Sequence, residues 1–302
     1  MLATTGMCIK DKNDNNGDKA MPRFVVTDDN NGDKALPRFV VTGFGPFRGV
    51  ADNPTTTIVK ELRSYLSNVC DNGLSSCTPQ QLASNITTHI FETSAEDVRQ
   101  WQDEWFDRLL GEVECGSTTR RGDETNSEAN AAEFCDQGKN DVVVLLHLGV
   151  HYKAQCFHLE SSAYNDATFR VPDERGYQPK EECVLPAADG CAYGDKLSTT
   201  LKVPLLVKKM QSRGYPSKLS GDPGRFVCNY TYCYSLNKCN RFNSTVPAPN
   251  TASVAVDCAK RRPTLYSIFV HVPLFHVTGK EEQLEFLVAL LDEISMWLRG
   301  ES

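Results

Sequence analysis

Twelve cysteines and six histidines stand in this chain of 302 residues, and a thiol beside an imidazole is a nucleophile with its base. One cysteine is set apart by its surroundings. Asp222-Pro223-Gly224 punctuates the chain, and a helical pattern follows through Arg225, Phe226, Val227, Cys228, Asn229, Tyr230, Thr231 and Tyr232. Cys228 therefore falls near a helix N-terminus, where the positive end of the dipole favours the reactive thiolate. His271 closes the apolar run Ser267–Val270 and is followed by Val272-Pro273. Glu160 ends the stretch Cys156-Phe157-His158-Leu159-Glu160. A carboxylate of this kind fixes the tautomer of a histidine and supports its charge. Each residue also has a plain structural reading: a buried small thiol, a core histidine with its partner, and a solvated strand end. Spacing alone leaves both readings open.

The elements that must position these groups alternate strand and helix. Phe39 to Thr42 reads as the first strand, and Asn53-Pro54 caps a helix carrying Ile58, Leu62 and Leu66 at helical spacing. Ile86 to Phe91 reads as a strand, after which Ser94-Ala95-Glu96-Asp97 opens a helix with Val98, Trp101, Trp105 and Leu109 on one face. Val142 to Leu146 is a continuous apolar run, the mark of a strand buried on both faces. Pro204 to Arg213, closed by Gly214, predicts a short helix, and Leu265 to Val272 another buried strand. Thr278 and Glu281 read as the capping box of a final helix lined by Leu284, Leu287, Val288, Leu291 and Leu298. Repeated βα units predict an α/β fold, a three-layer sandwich with a largely parallel central sheet and helices on both faces. Ligands of such sheets bind beyond the carboxyl ends of the strands. Gly43-Phe44-Gly45-Pro46-Phe47, His147-Leu148-Gly149-Val150 and His271 all fall there.

Three stretches stand apart from this pattern. Asp14–Thr27 reads DNNGDKAMPRFVVT and is repeated at Asp29–Thr42 with Leu36 in place of Met21. Only the second copy continues into the first strand. Residues 1–36 are thus expected to be a dispensable, flexible extension, and 37–302 one catalytic domain. Polar insertions are expected near 115–140 and 237–263, the second centred on NSTVPAPNTAS.

Composition removes whole classes of function. A net charge of −7 argues against nucleic-acid binding, which draws its affinity from phosphate-counterion release. The longest apolar stretch, Val142–Val150, is far short of the roughly 20 residues that span a bilayer. The opening MLATTGMCIKDKNDNNGDK has no apolar core of a secretory leader, so a cytoplasmic protein is expected. No CxxC occurs; neither a zinc site nor any other metal or cofactor is expected, and most cysteines are read as free thiols. A secreted, disulfide-rich protein is the weaker alternative, which thiol counting of the unreduced chain decides.

Five blocks, in order, carry a family resemblance: Val41–Phe47 with Asn53-Pro54; Leu146–Val150; Leu159-Glu160 with Asn165 and Arg170-Val171-Pro172-Asp173; Gly224–Tyr232; and Phe269–Pro273. On these the chain resembles pyroglutamyl peptidase I, the cysteine peptidases that remove an N-terminal pyroglutamyl residue from peptides. The resemblance implies a triad of Cys228 as nucleophile, His271 as base and Glu160 as its orienting carboxylate. It places Arg170 near the site, as a group that stabilises developing negative charge. It also implies small peptides with an N-terminal pyroglutamate as partners, with a homo-oligomer as one admissible assembly. The pyrrolidone ring is small, flat and uncharged, so it calls for an apolar slot. Phe44 and Phe47 supply two faces of it, Phe226 closes it, and Gly43 and Gly45 let the backbone approach. One departure concerns the turn before the nucleophile: family members commonly carry Asp-Ala-Gly where this chain has Asp222-Pro223-Gly224, and proline stiffens the turn and removes an N–H. The runner-up is a non-catalytic pyroglutamyl-peptide-binding protein that kept the fold.

Overall fold

A computed structural model describes residues 35–47, 49–50, 52–68, 74–115, 141–245 and 262–301. The first copy of the N-terminal repeat and the centres of both polar insertions lie outside these residues.

The long apolar runs form the sheet as the sequence predicts. Strands β1 (Arg38–Phe44), β2 (Ile86–Phe91) and β3 (Val142–Val150) are joined by helices α1 (Pro54–Asn68), α2 (Pro79–Ser84) and α3 (Ala95–Cys115). Short strands β4 (Phe157–Glu160), β5 (Ser162–Tyr164) and β6 (Lys196–Ser198) follow, then α4 (Val203–Ser212) and β7 (Ser217–Ser220). Helix α5 (Val227–Ser244), strand β8 (Thr264–Val272) and helix α6 (Lys280–Arg299) complete the described elements. The main sheet has the order β2-β1-β3-β8-β4-β7, and β5 pairs with β6 in a small antiparallel ribbon. Neighbours are parallel except β4 and β8, which run antiparallel. The largely parallel sheet is thus two parallel blocks with opposed directions.

Two layers of side chains hold it. On one face Phe39, Val41, Leu146, Leu159, Ile268 and Val270 meet α1, α4 and α6; there Phe157 stacks on Phe286 at 3.6 Å between ring centroids. Each such fully buried side chain contributes about 1.5–3 kcal/mol. On the other face the aromatic cluster Phe44, Phe91, Phe169, Tyr230, Tyr232 and Phe269 packs beneath α3 and α5. Odd and even residues of the same strands serve the two layers, as the period of a strand requires.

Three sequence expectations are corrected. The polar stretch expected from Asn237 is helical as far as Ser244, because Leu236, Cys239 and Phe242 bury one face of α5. The capping box expected at Thr278 and Glu281 does not form: α6 starts at Lys280 with Gly279 as N-cap, and Thr278 is buried with its carbonyl accepting from Gln283 Nε2 at 2.8 Å. A capping box does form at Thr78 and Gln81, opening α2. Glu160 is not a solvated strand end. Because β4 runs against β8, Glu160 lies opposite Phe269 inside the sheet and is only 1% exposed.

Candidate active site

The nucleophile candidate is delivered by a turn and a helix. Gly224 takes a positive φ of 87°, and its N–H donates to Asp222 Oδ1 at 3.0 Å. That bond skips Pro223, so the N–H that proline lacks is not one the turn uses. Arg225 ties the turn down through Asp222 at 2.6 Å and Asp166 at 2.9 Å, with its guanidinium over the Tyr164 ring. Phe226 is the extended N-cap of α5, and Cys228 is the helix's second residue, half-buried and free. The next residue fixes the register. Buried Asn229 accepts from the Tyr164 N–H and donates to the carbonyls of Tyr164 and Asp166, all at 2.8–2.9 Å.

The sheet supplies the partners. Residues paired across strands share a face, and the register places Gly149 beside His271 and His158 beside His271. Glu160, two residues from His158, faces the same way. Its Oε1 accepts from His271 Nδ1 at 2.8 Å, and its backbone carbonyl accepts from the Tyr232 hydroxyl at 3.0 Å. Burial pushes the His271 imidazole down, but hydrogen bonding to Cys228 and to Glu160 outweighs it and leaves the ring raised to about 9. The imidazolium is therefore the resting form at neutral pH.

Gly149 makes room for the sulfur. A Cβ there would lie 2.9 Å from Cys228 Sγ and 2.7 Å from the Phe269 ring. Only a residue without a side chain lets α5 bring its thiol down onto β3 at this point. Sequence reasoning gave Gly149, Asn229 and Tyr232 no role. All three sit inside the quoted motif blocks, but their tasks depend on what lies opposite them in space.

The structure sorts the remaining candidates. Phe44 and Phe226 belong to the aromatic cluster that reaches Cys228; the Phe226 ring meets Phe169 edge-on at 4.8 Å. Phe47 is half-buried in a neighbouring tight turn, where it exchanges backbone bonds with Val50. Arg170 follows Phe169 and is exposed. Of the two glycines of the first loop, Gly43 is required by packing, whereas Gly45 has room for a side chain at ordinary contact distance. A Cβ on Gly43 would lie 2.8 Å from the Thr55 carbonyl of α1, and one on Gly45 would lie 3.4 Å from the Phe91 carbonyl. His147 turns inward, bonded to Thr42 Oγ1 at 2.7 Å and Ser235 Oγ at 2.9 Å, and burial lowers it to about 3. It is a neutral strut between sheet and α5. Among the described residues no cluster of His, Cys, Asp and Glu suits a metal ion.

A family model described as pyroglutamyl peptidase matches residues 125–248, a span holding Glu160, Arg170, Phe226 and Cys228. Over this span the chain is similar to the pyroglutamyl peptidases. Pyrrolidone-carboxylate peptidases of Pyrococcus furiosus (28% identical over 94 residues, 31% of this chain and 43% of the relative) and Bacillus subtilis (40% over 74 residues, 24% and 32%) match shorter stretches. That of Bacillus cytotoxicus is 25% identical over 192 residues, 63% of this chain and 66% of the relative. These alignments thus span from about a third to just under two thirds of the relatives' length. The fold match is wider. Pyroglutamyl peptidase I of Bacillus amyloliquefaciens superposes with a TM-score of 0.56 at 16% identity, over 86% of this chain and 96% of that one. The pyrrolidone carboxyl peptidase of Fervidobacterium islandicum does so at 0.55 and 19%, over 85% and 98%. His271 lies beyond the segment matched by the pyroglutamyl peptidase family model; the sheet register is what brings it to Glu160.

Proposed function

We propose that the chain is a cysteine-type omega-peptidase that hydrolyses the amide bond after an N-terminal pyroglutamyl residue of small peptides. The observation that carries this is the continuous line Glu160–His271–Cys228, set at the start of α5 beside an aromatic cluster. The reaction follows from it. The Cys228 thiolate attacks the pyroglutamyl carbonyl, and the first N–H groups of α5, which have no acceptor in the helix, face the developing oxyanion. The imidazolium of His271 gives its proton to the departing amine as the C–N bond breaks and a thioester remains. Water then attacks the thioester; His271 takes its proton, pyroglutamate leaves, and the thiolate–imidazolium pair is restored. Glu160 holds the ring by Nδ1 throughout.

Phe44 and Phe226 wall the pyrrolidone ring in this reading, with Phe47 at the rim. Arg170, although exposed, is the cation nearest in sequence to the Phe169 wall. A free N-terminal glutamate or glutamine would bring a charged amine into an apolar slot, which selects for the lactam. The free state of the described cysteines, Cys77, Cys156, Cys183, Cys191, Cys228, Cys233 and Cys239, supports a cytoplasmic setting. No helix among the described residues is long and apolar enough to cross a membrane. Assembly as a homo-oligomer belongs to the same proposal, and sedimentation measures it.

Release of a fluorophore from a pyroglutamyl amide, with and without iodoacetamide, tests the reading. We expect turnover that alkylation abolishes and that Cys228→Ser reduces by at least about a thousandfold. Turnover surviving either change would overturn the cysteine mechanism. Absence of turnover, with thermal stabilisation by a pyroglutamyl peptide, would identify a binding protein instead.

A further inference from the structure

The carboxylate of the triad sits where the chain leaves the main sheet. Glu160 is the last residue of β4, and from Ser162 the chain belongs to the small ribbon of β5 and β6. Its Oε1 is engaged by His271, and among the described residues nothing bonds the buried Oε2. The aim of the carboxylate therefore rests on the backbone beneath it, at a strand end, where ladders fray most readily. That backbone is gripped from two sides. The Ser161 N–H donates to the Ser220 carbonyl of β7 at 2.7 Å, and the Glu160 carbonyl accepts from the Tyr232 hydroxyl at 3.0 Å.

Tyr232 comes from the nucleophile's own helix. It follows Cys228 by four residues, so the two project from one face of α5, a turn apart. Cys228 reaches His271 from this face, and Tyr232 reaches the residue that orients His271. The Tyr232 ring lies 5.9 Å from that of Phe269, which lies 4.9 Å from that of His271. Tyr232 is fully buried, and a phenylalanine would fill the same space without a polar group to desolvate. The hydroxyl is thus the part of this side chain that packing does not explain. Burial pushes the phenol far above its ordinary range, so it remains a donor at every working pH.

On the reading given under Proposed function, we infer that Tyr232 is a positioning residue of the triad: its hydroxyl fixes the Glu160 peptide to α5, so that carboxylate, imidazole and thiol are held as one unit. The other groups that titrate around the ring of His271, namely Cys228, His151 and His158, are not altered when this hydroxyl is removed.

Tyr232→Phe removes the hydroxyl and keeps the ring. We expect kcat on a pyroglutamyl amide to fall about tenfold with KM within about twofold, since a loosened Glu160 misaligns the imidazole without touching the slot. The titration of His271, raised to about 9 in part by Glu160, should move down by at least about half a pH unit. NMR of isotope-labelled histidine, with the signal assigned by its loss in His271→Asn, reads this without any substrate. In a Glu160→Gln background the loss of kcat should largely vanish, because two changes acting through one side chain are not additive. Tyr234→Phe removes the bond from α5 to Asp103 at 2.8 Å and is the control that should leave kcat and the titration unmoved. If Tyr232→Phe does not fold, Tyr232→Met removes the same hydroxyl with a side chain that adapts to core gaps. A His271 titration unmoved by Tyr232→Phe, one moved equally by Tyr234→Phe, or a loss of kcat that adds fully to that of Glu160→Gln would overturn the positioning role while leaving the peptidase reading intact. Absence of turnover in the wild type, with the titration shifted by Tyr232→Phe alone, would overturn the peptidase reading and uphold the link from Tyr232 to His271.

Discussion

At the scale of single residues, the decisive quantity is the proton on His271. Its hydrogen bonds to Cys228 and Glu160 raise it to about 9 against the pull of burial. The sign for activity follows directly. Below that value the imidazolium is present to protonate the leaving amine; above it the proton is lost, and kcat/KM should fall as pH rises through about 9. Glu160→Gln keeps the size and one acceptor oxygen but removes the negative charge. The alkaline limb should then move towards neutrality, with kcat reduced about a hundredfold. A pH–rate profile of this variant that keeps its limb near 9 would deny Glu160 its positioning role. Cys228, His271 and Glu160 were all legible as candidates in the sequence, but spacing left their plain structural readings open and only the family resemblance assigned their roles. The burial of Glu160 was not legible, since it depends on β4 running against β8.

At the scale of elements, the site is a meeting of one helix with three strands, β3, β8 and β4, and Gly149 sets how closely helix and sheet meet. Gly149→Ala places a methyl 2.9 Å from the nucleophilic sulfur and 2.7 Å from the Phe269 ring. Overpacking of this kind costs about 1–3 kcal/mol, and here the group that yields is the thiol itself. We expect a lower melting temperature, turnover reduced at least tenfold, and altered alkylation kinetics of Cys228. Turnover equal to wild type would mean that the sulfur does not rest on β3. The same elements explain what the sequence revealed. Strands β1, β2, β3 and β8 and helices α1, α3, α4 and α6 are long enough for an apolar run or a period to be unmistakable. Strands β4 to β7 hold three or four residues each, too few for a period, and β4 turns His158 and Glu160 towards the site while Phe157 and Leu159 enter the core on its other face. Helix α2 announces itself only by Thr78-Pro79-Gln80-Gln81, a capping box with a proline inside it.

At the scale of the whole molecule, two predictions separate fold from ornament. The second copy of the N-terminal repeat enters β1 at Arg38, so a chain lacking residues 1–33 keeps every described contact. Its turnover and urea midpoint should match those of the full chain; a loss of either would make the extension part of the enzyme. The second prediction concerns pH, where two buried histidines oppose each other. His147, held neutral between Thr42 and Ser235, is lowered from 6.5 to about 3. Between those values the unfolded chain binds the proton and the folded one does not, so this contribution is intact above 6.5 and fades as pH falls. Each pH unit is worth about 1.4 kcal/mol, or about 2 kcal/mol between pH 6.5 and 5. His271 has the opposite sign. Raised to about 9, it contributes fully below 6.5 and its contribution is lost as pH climbs through 9. Stability should therefore peak near neutrality and fall on both sides, with acid loss governed by the strut that joins sheet to α5 and alkaline loss by the catalytic ring. Urea midpoints at pH 5, 7 and 9.5, at constant m, measure this; equal midpoints at 5 and 7 would show that His147 is not the buried neutral strut that its hydrogen bonds describe.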